Sequence, residues 1–396
     1  MGLAEQAASS VGGLVRAPYD ARMEFSAVVT PPYVGGPLRL LPFRALMLAP
    51  SRVGDPSSAR AFARPYRDVA ARLERWRSQG HLLRDAEPAL YLHEYTARGI
   101  TIRGLVGLLD VSRRAALPRD RAILPHEGIY PGQADDLADR MWQMELNPAP
   151  ILLVHRGPAR LRAVLKRVQA RTPDHDFTDR VDQRHRVWAI RDAAELDEIA
   201  VDLADETALI ADGHHRYAAY LRLQKRNPGG PCDYGLAMLV DQEDTPLFLG
   251  AIHRVLVGTS IDDVRAAADA IGMGFTETTM EAAVAALGPD RLVVTDADRW
   301  AIVTISVPPD RTAVQLLHDQ LIPALPYGPR SLDYHHTVED ALSQVTPELG
   351  VAVLMPAPLV DRVLRIVRDD RLLPEKATSF QPKPSLGVLI RSLRDG

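Results

Sequence analysis

The chain of 396 residues has a single cysteine, Cys232. One thiol cannot close an internal disulfide, and no cysteine cluster is present to hold zinc or an iron–sulfur centre. A dominant charge is also lacking: 47 Lys and Arg stand against 51 Asp and Glu, a formal net charge of −4. That balance argues against a strongly basic nucleic-acid binder, and no basic helix-turn-helix is readable, so DNA is not an expected partner. No apolar run approaches the roughly 20 residues that span a bilayer, so no membrane association is expected. Residues 1–20 carry neither a basic start nor an apolar block, so no secretory signal is expected there. Gln6 stands where a myristoylation motif needs Ser or Thr. A cytoplasmic setting fits these features. The common catalytic fingerprints are missing too. There is no Gly-x-x-x-x-Gly-Lys-Ser/Thr loop, no Gly-x-Gly-x-x-Gly after a strand and no Gly-x-Ser-x-Gly elbow.

What is present is ordinary for a globular protein: 46% apolar and 25% charged residues. The length exceeds what one hydrophobic core usually organises, so two domains are expected. Gly258-Thr259 reads as their boundary, giving a loose N-terminus over 1–22, a main α/β domain over 23–257 and a smaller α/β domain over 258–396. In the main domain, Val69, Leu73 and Trp76 predict a helix over 62–78, ended by Gly80. Strands are predicted at 88–95, 102–110, 150–155, 185–190, 234–240 and 246–256. Helices are predicted at 158–170, from Leu161, Val164, Leu165 and Val168, and at 192–204. Beyond the boundary, Ser260-Ile261-Asp262-Asp263 resembles a capping box opening a helix to about 271. Strands at 291–296, 300–307 and 350–355 and helices near 312–320 and 358–369 follow. The alternation argues a mixed α/β architecture.

Chemistry concentrates in Ala211-Asp212-Gly213-His214-His215-Arg216-Tyr217. An apolar run, a glycine turn and a helix start make an anion site, because the first helix amides lack internal partners and the helix dipole is positive there. Gly213 permits close backbone approach. Arg216 adds a planar fork for phosphate or carboxylate. The two histidines add donors, acid–base capacity or metal affinity. Leu124-Pro125-His126-Glu127-Gly128 is a second candidate, either a general base or metal ligand or a solvated loop carboxylate. It is not a zinc helix motif, since Tyr130 stands where the second histidine belongs. His253-Arg254 at a strand end reads as a rim pair or a weak anion site. Leu332 to Thr337 reads first as the start of a helix over 337–345, capped by Thr337. The stretch from Pro374 to Lys383, with Lys376 and Lys383, is either an exposed tail or a cover that binds an anion.

The phrase ADGHHRYAAYL (211–221) resembles the signature of the domain of unknown function 1015 family. SAVVTPPY (26–33), LPHEGIY (124–130), NPAPILLVH (147–155), AIHRVL (251–256), LDYHHTVEDAL (332–342) and LPEKATSFQPKPSLGVLIRSL (373–393) are similar to its other blocks, in the same order. Val34 departs from the family pattern, where Asp follows Pro-Pro-Tyr, and Ala377 and Gln381 replace the usual Ser and Tyr. The family carries a ParB-related label, and the resemblance implies a ParB/sulfiredoxin-like nucleotide-binding core, a fold shared with kinases acting on free serine. It implies that Gly213, His214, His215 and Arg216, with His253, Arg254, Lys376 and Lys383, hold nucleotide phosphates. It implies Mg2+ with a nucleoside di- or triphosphate, Asp212 as metal ligand, and Glu127, helped by His126 and Asp212, as catalytic base on a small hydroxyl-bearing metabolite. Two other readings stay open: a non-catalytic, nucleotide-responsive binding protein, and a metal-dependent hydrolase using the paired histidines.

Overall fold

The computed structural model describes residues 28–63, 69–374 and 376–395. The segment read as loose at 1–22 lies outside the described residues, as does part of the helix predicted over 62–78. Helical turns flank that gap at Pro56–Ala63 and Val69–Ser78.

The largest sheet is mixed. Its strands in chain order are β1 (Leu90–Ala97), β2 (Ile100–Asp110), β3 (Ile123–Leu124), β4 (Ile151–His155), β5 (His175–Thr178), β6 (Arg184–Ile190), β7 (Ala208–Asp212) and β8 (Tyr234–Asp241). They lie side by side as β3-β7-β4-β8-β2-β1-β6-β5, with Leu40–Leu41 paired to β2. β7 runs parallel to β3 and antiparallel to β4, and β4 runs parallel to β8. The strands are apolar on both faces because both are covered. Ile151, Leu153, Ala208 and Ile210 point into one core, which holds Tyr217 and Tyr220. Leu152, Val154, Leu209 and Ala211 point into the other. The first core is closed by helices α1 (Pro131–Met144), α2 (Ala159–Gln169), α3 (Ala193–Leu203) and α4 (His214–Arg226), with α1 packed on α4 and α2 on α3.

The second core continues to a six-stranded antiparallel sheet: β9 (His253–Val257), β10 (Gly274–Thr278), β11 (Arg291–Thr295), β12 (Trp300–Thr304), β13 (Ser331–His335) and β14 (Gly350–Leu354), in the order β10-β12-β11-β14-β9-β13. The capping box at Ser260 and Asp263 is formed and starts α5 (Ile261–Ala270). The strand predicted over 246–256 is two. Phe248–Gly250 pairs with Ser379–Gln381 of the C-terminal tail, whereas β9 joins the six-stranded sheet. Apolar residues continue from Leu249 through Ala251 and Ile252, which hides the change of partner. The 332–337 block is mostly strand β13, with Thr337 capping a short helix, Val338–Leu342. The tail then runs back across the molecule, and Ile390–Ser392 adds to Ala45–Leu48 and Leu146–Asn147. Among the described residues no helix is long and apolar enough to cross a membrane.

Candidate functional site

β7 ends at Asp212, and Gly213 turns the chain into α4 at φ 97°. A side chain at 213 would be strained at that angle, and its Cβ would stand 3.0 Å from the Arg216 guanidinium. Asp212 is gripped from two sides: Lys383 Nζ lies 2.5 Å from Oδ1, and Arg216 donates to Oδ2 at 2.5 Å. Arg216 also donates to the Pro150 carbonyl at 2.6 Å. Burial alone would raise the Asp212 pKa; the two cations prevail and hold it below the usual carboxylate range.

The paired histidines look outward from the helix start toward the 125–130 loop. His214 Nε2 accepts the backbone N–H of His126 at 3.3 Å, and His215 Nε2 accepts that of Tyr130 at 3.1 Å. Each Nε2 is therefore an acceptor, which places the ring proton of a neutral imidazole on Nδ1. The His215 ring stacks on Tyr130, and the His214 ring meets His126 edge to face at 4.5 Å. Burial drives the His214 pKa well below its ordinary value, so the ring is neutral. Among the described residues no trio of His, Cys, Asp and Glu gathers to hold a metal ion. The histidines clasp one loop to one turn.

That loop carries His126 and Glu127, and the tail locks both. Thr378 Oγ1 lies 2.6 Å from His126 Nε2 and 3.2 Å from Glu127 Oε1; the Thr378 N–H also donates to Oε1 at 3.3 Å. Burial lowers the His126 pKa to about 4, the Ile210 carbonyl opposing. Burial pushes Glu127 up to about 7 despite the Thr378 bonds and the nearby Lys376 charge. The two side chains, 3.7 Å apart, therefore form a neutral imidazole beside a titrating carboxyl rather than a standing ion pair at neutral pH. Lys376 is exposed, and its charge is felt by both Glu127 and His214.

Three segments distant in sequence thus converge: the 125–130 loop, the 212–216 turn and the 376–383 tail. His253 and Arg254 do not join them as ligand-facing groups. His253 is buried and its Nδ1 accepts the Met355 N–H at 3.1 Å. Arg254 is wholly buried, donating to the carbonyls of Ile252 and, at 2.8 Å, Lys376. It holds the tail from behind.

A cavity of about 200 Å³ adjoins the turn, lined by Asp212, Arg216 and Lys383, with Pro150, His93 and Ser385. A larger one, about 1020 Å³, shares Lys383 and has His336, Thr337, Ser379 and Gln381 in its wall. Two contributors escape sequence reading. Thr378 sits inside a recognised block but shows its purpose only once folded. His93 lies on an apolar strand, where a histidine reads as core; it is joined to His185 at 3.1 Å, which is joined to Asp179 at 3.1 Å. The register of β1 against β6 brings His93 and His185 together, and a single sequence carries no signal of that.

Fold and site define a mixed α/β protein with a cationic glycine turn at a helix start, locked to a partly buried carboxyl by its own C-terminal tail. The chain belongs to the family described as "Protein of unknown function (DUF1015)", whose model matches residues 41–316. Among solved structures, it is similar to a conserved hypothetical protein from Pyrococcus furiosus, at 16% identity and a TM-score of 0.37, covering 69% of this chain and 93% of that one. It is also similar to a free serine kinase in complex with AMP, at 14% identity and a TM-score of 0.37, covering 68% and 88%. SbnI with C-terminal truncation from Staphylococcus aureus is similar at 11% identity and a TM-score of 0.40, covering 72% and 87%. No curated protein matches the chain.

Proposed function

We propose that the protein binds the phosphates of a nucleoside triphosphate at residues 212–216 and transfers the terminal phosphoryl group to the hydroxyl of a small metabolite. The observation that carries this reading is Glu127: a carboxyl raised to about 7, fixed by Thr378, one residue from the histidine that packs on the turn. A general base works best with a pKa near the operating pH. In the proposed step Glu127 accepts the hydroxyl proton as that oxygen bonds to the terminal phosphorus. The bond from phosphorus to the bridging oxygen breaks, and the nucleoside diphosphate leaves with that electron pair.

Such a transfer needs position and charge more than covalent help. Arg216 and Lys383 bring two positive charges against the single charge of Asp212, and Lys376 adds a third on the side of Glu127 and His214, an excess suited to phosphate. The unbonded amides at the start of α4 add donors. Lys383 is 44% exposed on its side chain, so it can leave Asp212 for a phosphate oxygen with little repacking. Mg2+ would neutralise phosphate charge, and Asp212, kept ionised, is the residue that would hold it; a single carboxylate suffices for a cation that keeps its waters and takes phosphate oxygens. Arg254 and His253 have no part in this set. The occupied Nε2 atoms of His214 and His215 favour it over the hydrolase reading.

The test begins with thermal shift against ATP, ADP, CTP and GTP, with and without Mg2+. At least one nucleotide should stabilise the protein, and Arg216→Ala should abolish the shift. Absence of any shift would sink the proposal. Turnover of the matched nucleotide with a panel of hydroxyl-bearing metabolites should then fall by about 10²–10⁴ in Glu127→Gln. Nucleotide binding with no transfer to any acceptor would instead favour the non-catalytic binding protein.

A further inference from the structure

A separate cavity, about 370 Å³, opens at the end of β7 opposite Asp212. Leu124, Val154 and Leu209, from three neighbouring strands, form one wall. The helix Val360–Arg368 forms the other, presenting Val360, Leu364 and Val367 at i, i+4 and i+7. Four arginines line the same space, Arg119, Arg121, Arg156 and Arg368, with one lining carboxylate, Glu206; Asp120, Asp370, Glu243 and Asp361 pair with the first three from outside the lining. The Glu206 carboxylate already faces His155 Nδ1 at 3.3 Å.

Two details point to a missing acceptor. The buried Nε2 of Gln242, another lining residue, has no hydrogen-bond partner among the described residues, and buried donors in folded proteins are nearly always satisfied. Arg121 already has its acceptor: Asp370 grips it at 2.8 and 3.1 Å, and it lies 3.7 Å above the Tyr33 ring, so its guanidinium is fixed at the cavity wall. Arg368 makes no ion pair among the described residues, and the contacts of Arg156 with Asp361 and Glu243 are more than half exposed on both sides. Exposed pairs of that kind hold their partners weakly.

We propose that this cavity binds a small anionic amphiphile, an organic carboxylate or phosphate. Its head meets the arginines and the Gln242 amide, and its hydrocarbon lies between the strand wall and the 360–368 helix. The guanidinium fork suits either head group, and the volume falls within the range of about 300–1,000 Å³ common to small-molecule sites. None of Glu127, Asp212, Arg216 and Lys383 lines this space, so the inference stands apart from the phosphoryl-transfer reading.

Isothermal titration of the full chain with octanoate and with octyl phosphate tests it, with 1-octanol and inorganic phosphate as controls. At least one of the two amphiphilic anions should bind about tenfold or more tighter than either control, and the tighter one names the head group. Arg368→Glu, at an exposed position that folding tolerates, and Gln242→Leu should each weaken binding by about tenfold or more, the loss of a charge-assisted or buried hydrogen bond. Arg216→Ala should leave it unchanged. Octanol binding as tightly as the anions, affinity unaltered in both cavity variants, or a matching loss in Arg216→Ala would each overturn the proposal.

Discussion

Glu127 is where the chemistry of a single residue can be read most directly. Its pKa rises from an ordinary value near 4.5 to about 7 because burial disfavours the anion. Folding therefore favours the protonated form. The stability this provides is complete below about pH 4.5 and is lost as pH rises through 7. Glu127→Gln keeps the shape and removes the ionisation. Relative to wild type, the variant should gain stability as pH climbs from 5 to 8, by roughly 3 kcal/mol at most. Urea unfolding across that range measures the difference, and a gap constant with pH would show that Glu127 does not titrate as described. Activity has the opposite slope: a base must be deprotonated, so turnover should rise with pH through about 7 in wild type and lose that limb in the variant.

At the level of elements, strand, glycine and helix make the turn, and this is the part most legible in the sequence. Each step is local: apolar residues, a residue that tolerates φ 97°, then helix formers. Gly213→Ala should therefore cost about 1–2 kcal/mol from backbone strain alone. It should also weaken nucleotide affinity by pushing Arg216 off its seat, a loss that thermal unfolding and a titration would record together. What the histidines do was not legible. They sit 88 and 85 residues from the amides they accept, and no spacing rule links such positions. Helix α1 leaves little trace in the sequence because it starts at Pro131-Gly132, a turn signal, and buries small Ala134 and Ala138 before its methionines. Strands β10 and β13 are hard to read in the sequence for another reason. They are the edges of their sheet, with no fully buried residue in either, so they lack an apolar run.

Across the whole molecule the organising device is the tail. It pairs with Phe248–Gly250, bonds to His126 and Glu127 through Thr378, reaches Asp212 through Lys383 and ends in the sheet of Ala45–Leu48. In sequence the stretch from Pro374 to Lys383 reads equally as an exposed tail or as a cover that binds an anion, because its route depends on contacts across most of the chain. Arg254 is the hinge pin of that route, because its buried guanidinium holds the Lys376 carbonyl. Arg254→Met keeps much of the volume but deprives the Ile252 and Lys376 carbonyls of a charged donor, at a cost of roughly 2–4 kcal/mol. Lys383→Ala, by contrast, removes an exposed ion pair and should change stability by less than about 1 kcal/mol. If the tail assembles the site, both variants lose nucleotide affinity, and only Arg254→Met also loses stability. Paired denaturation and nucleotide-titration curves separate the two effects. Wild-type nucleotide affinity in a folded Arg254→Met protein would mean that the 212–216 turn binds its ligand without help from the tail.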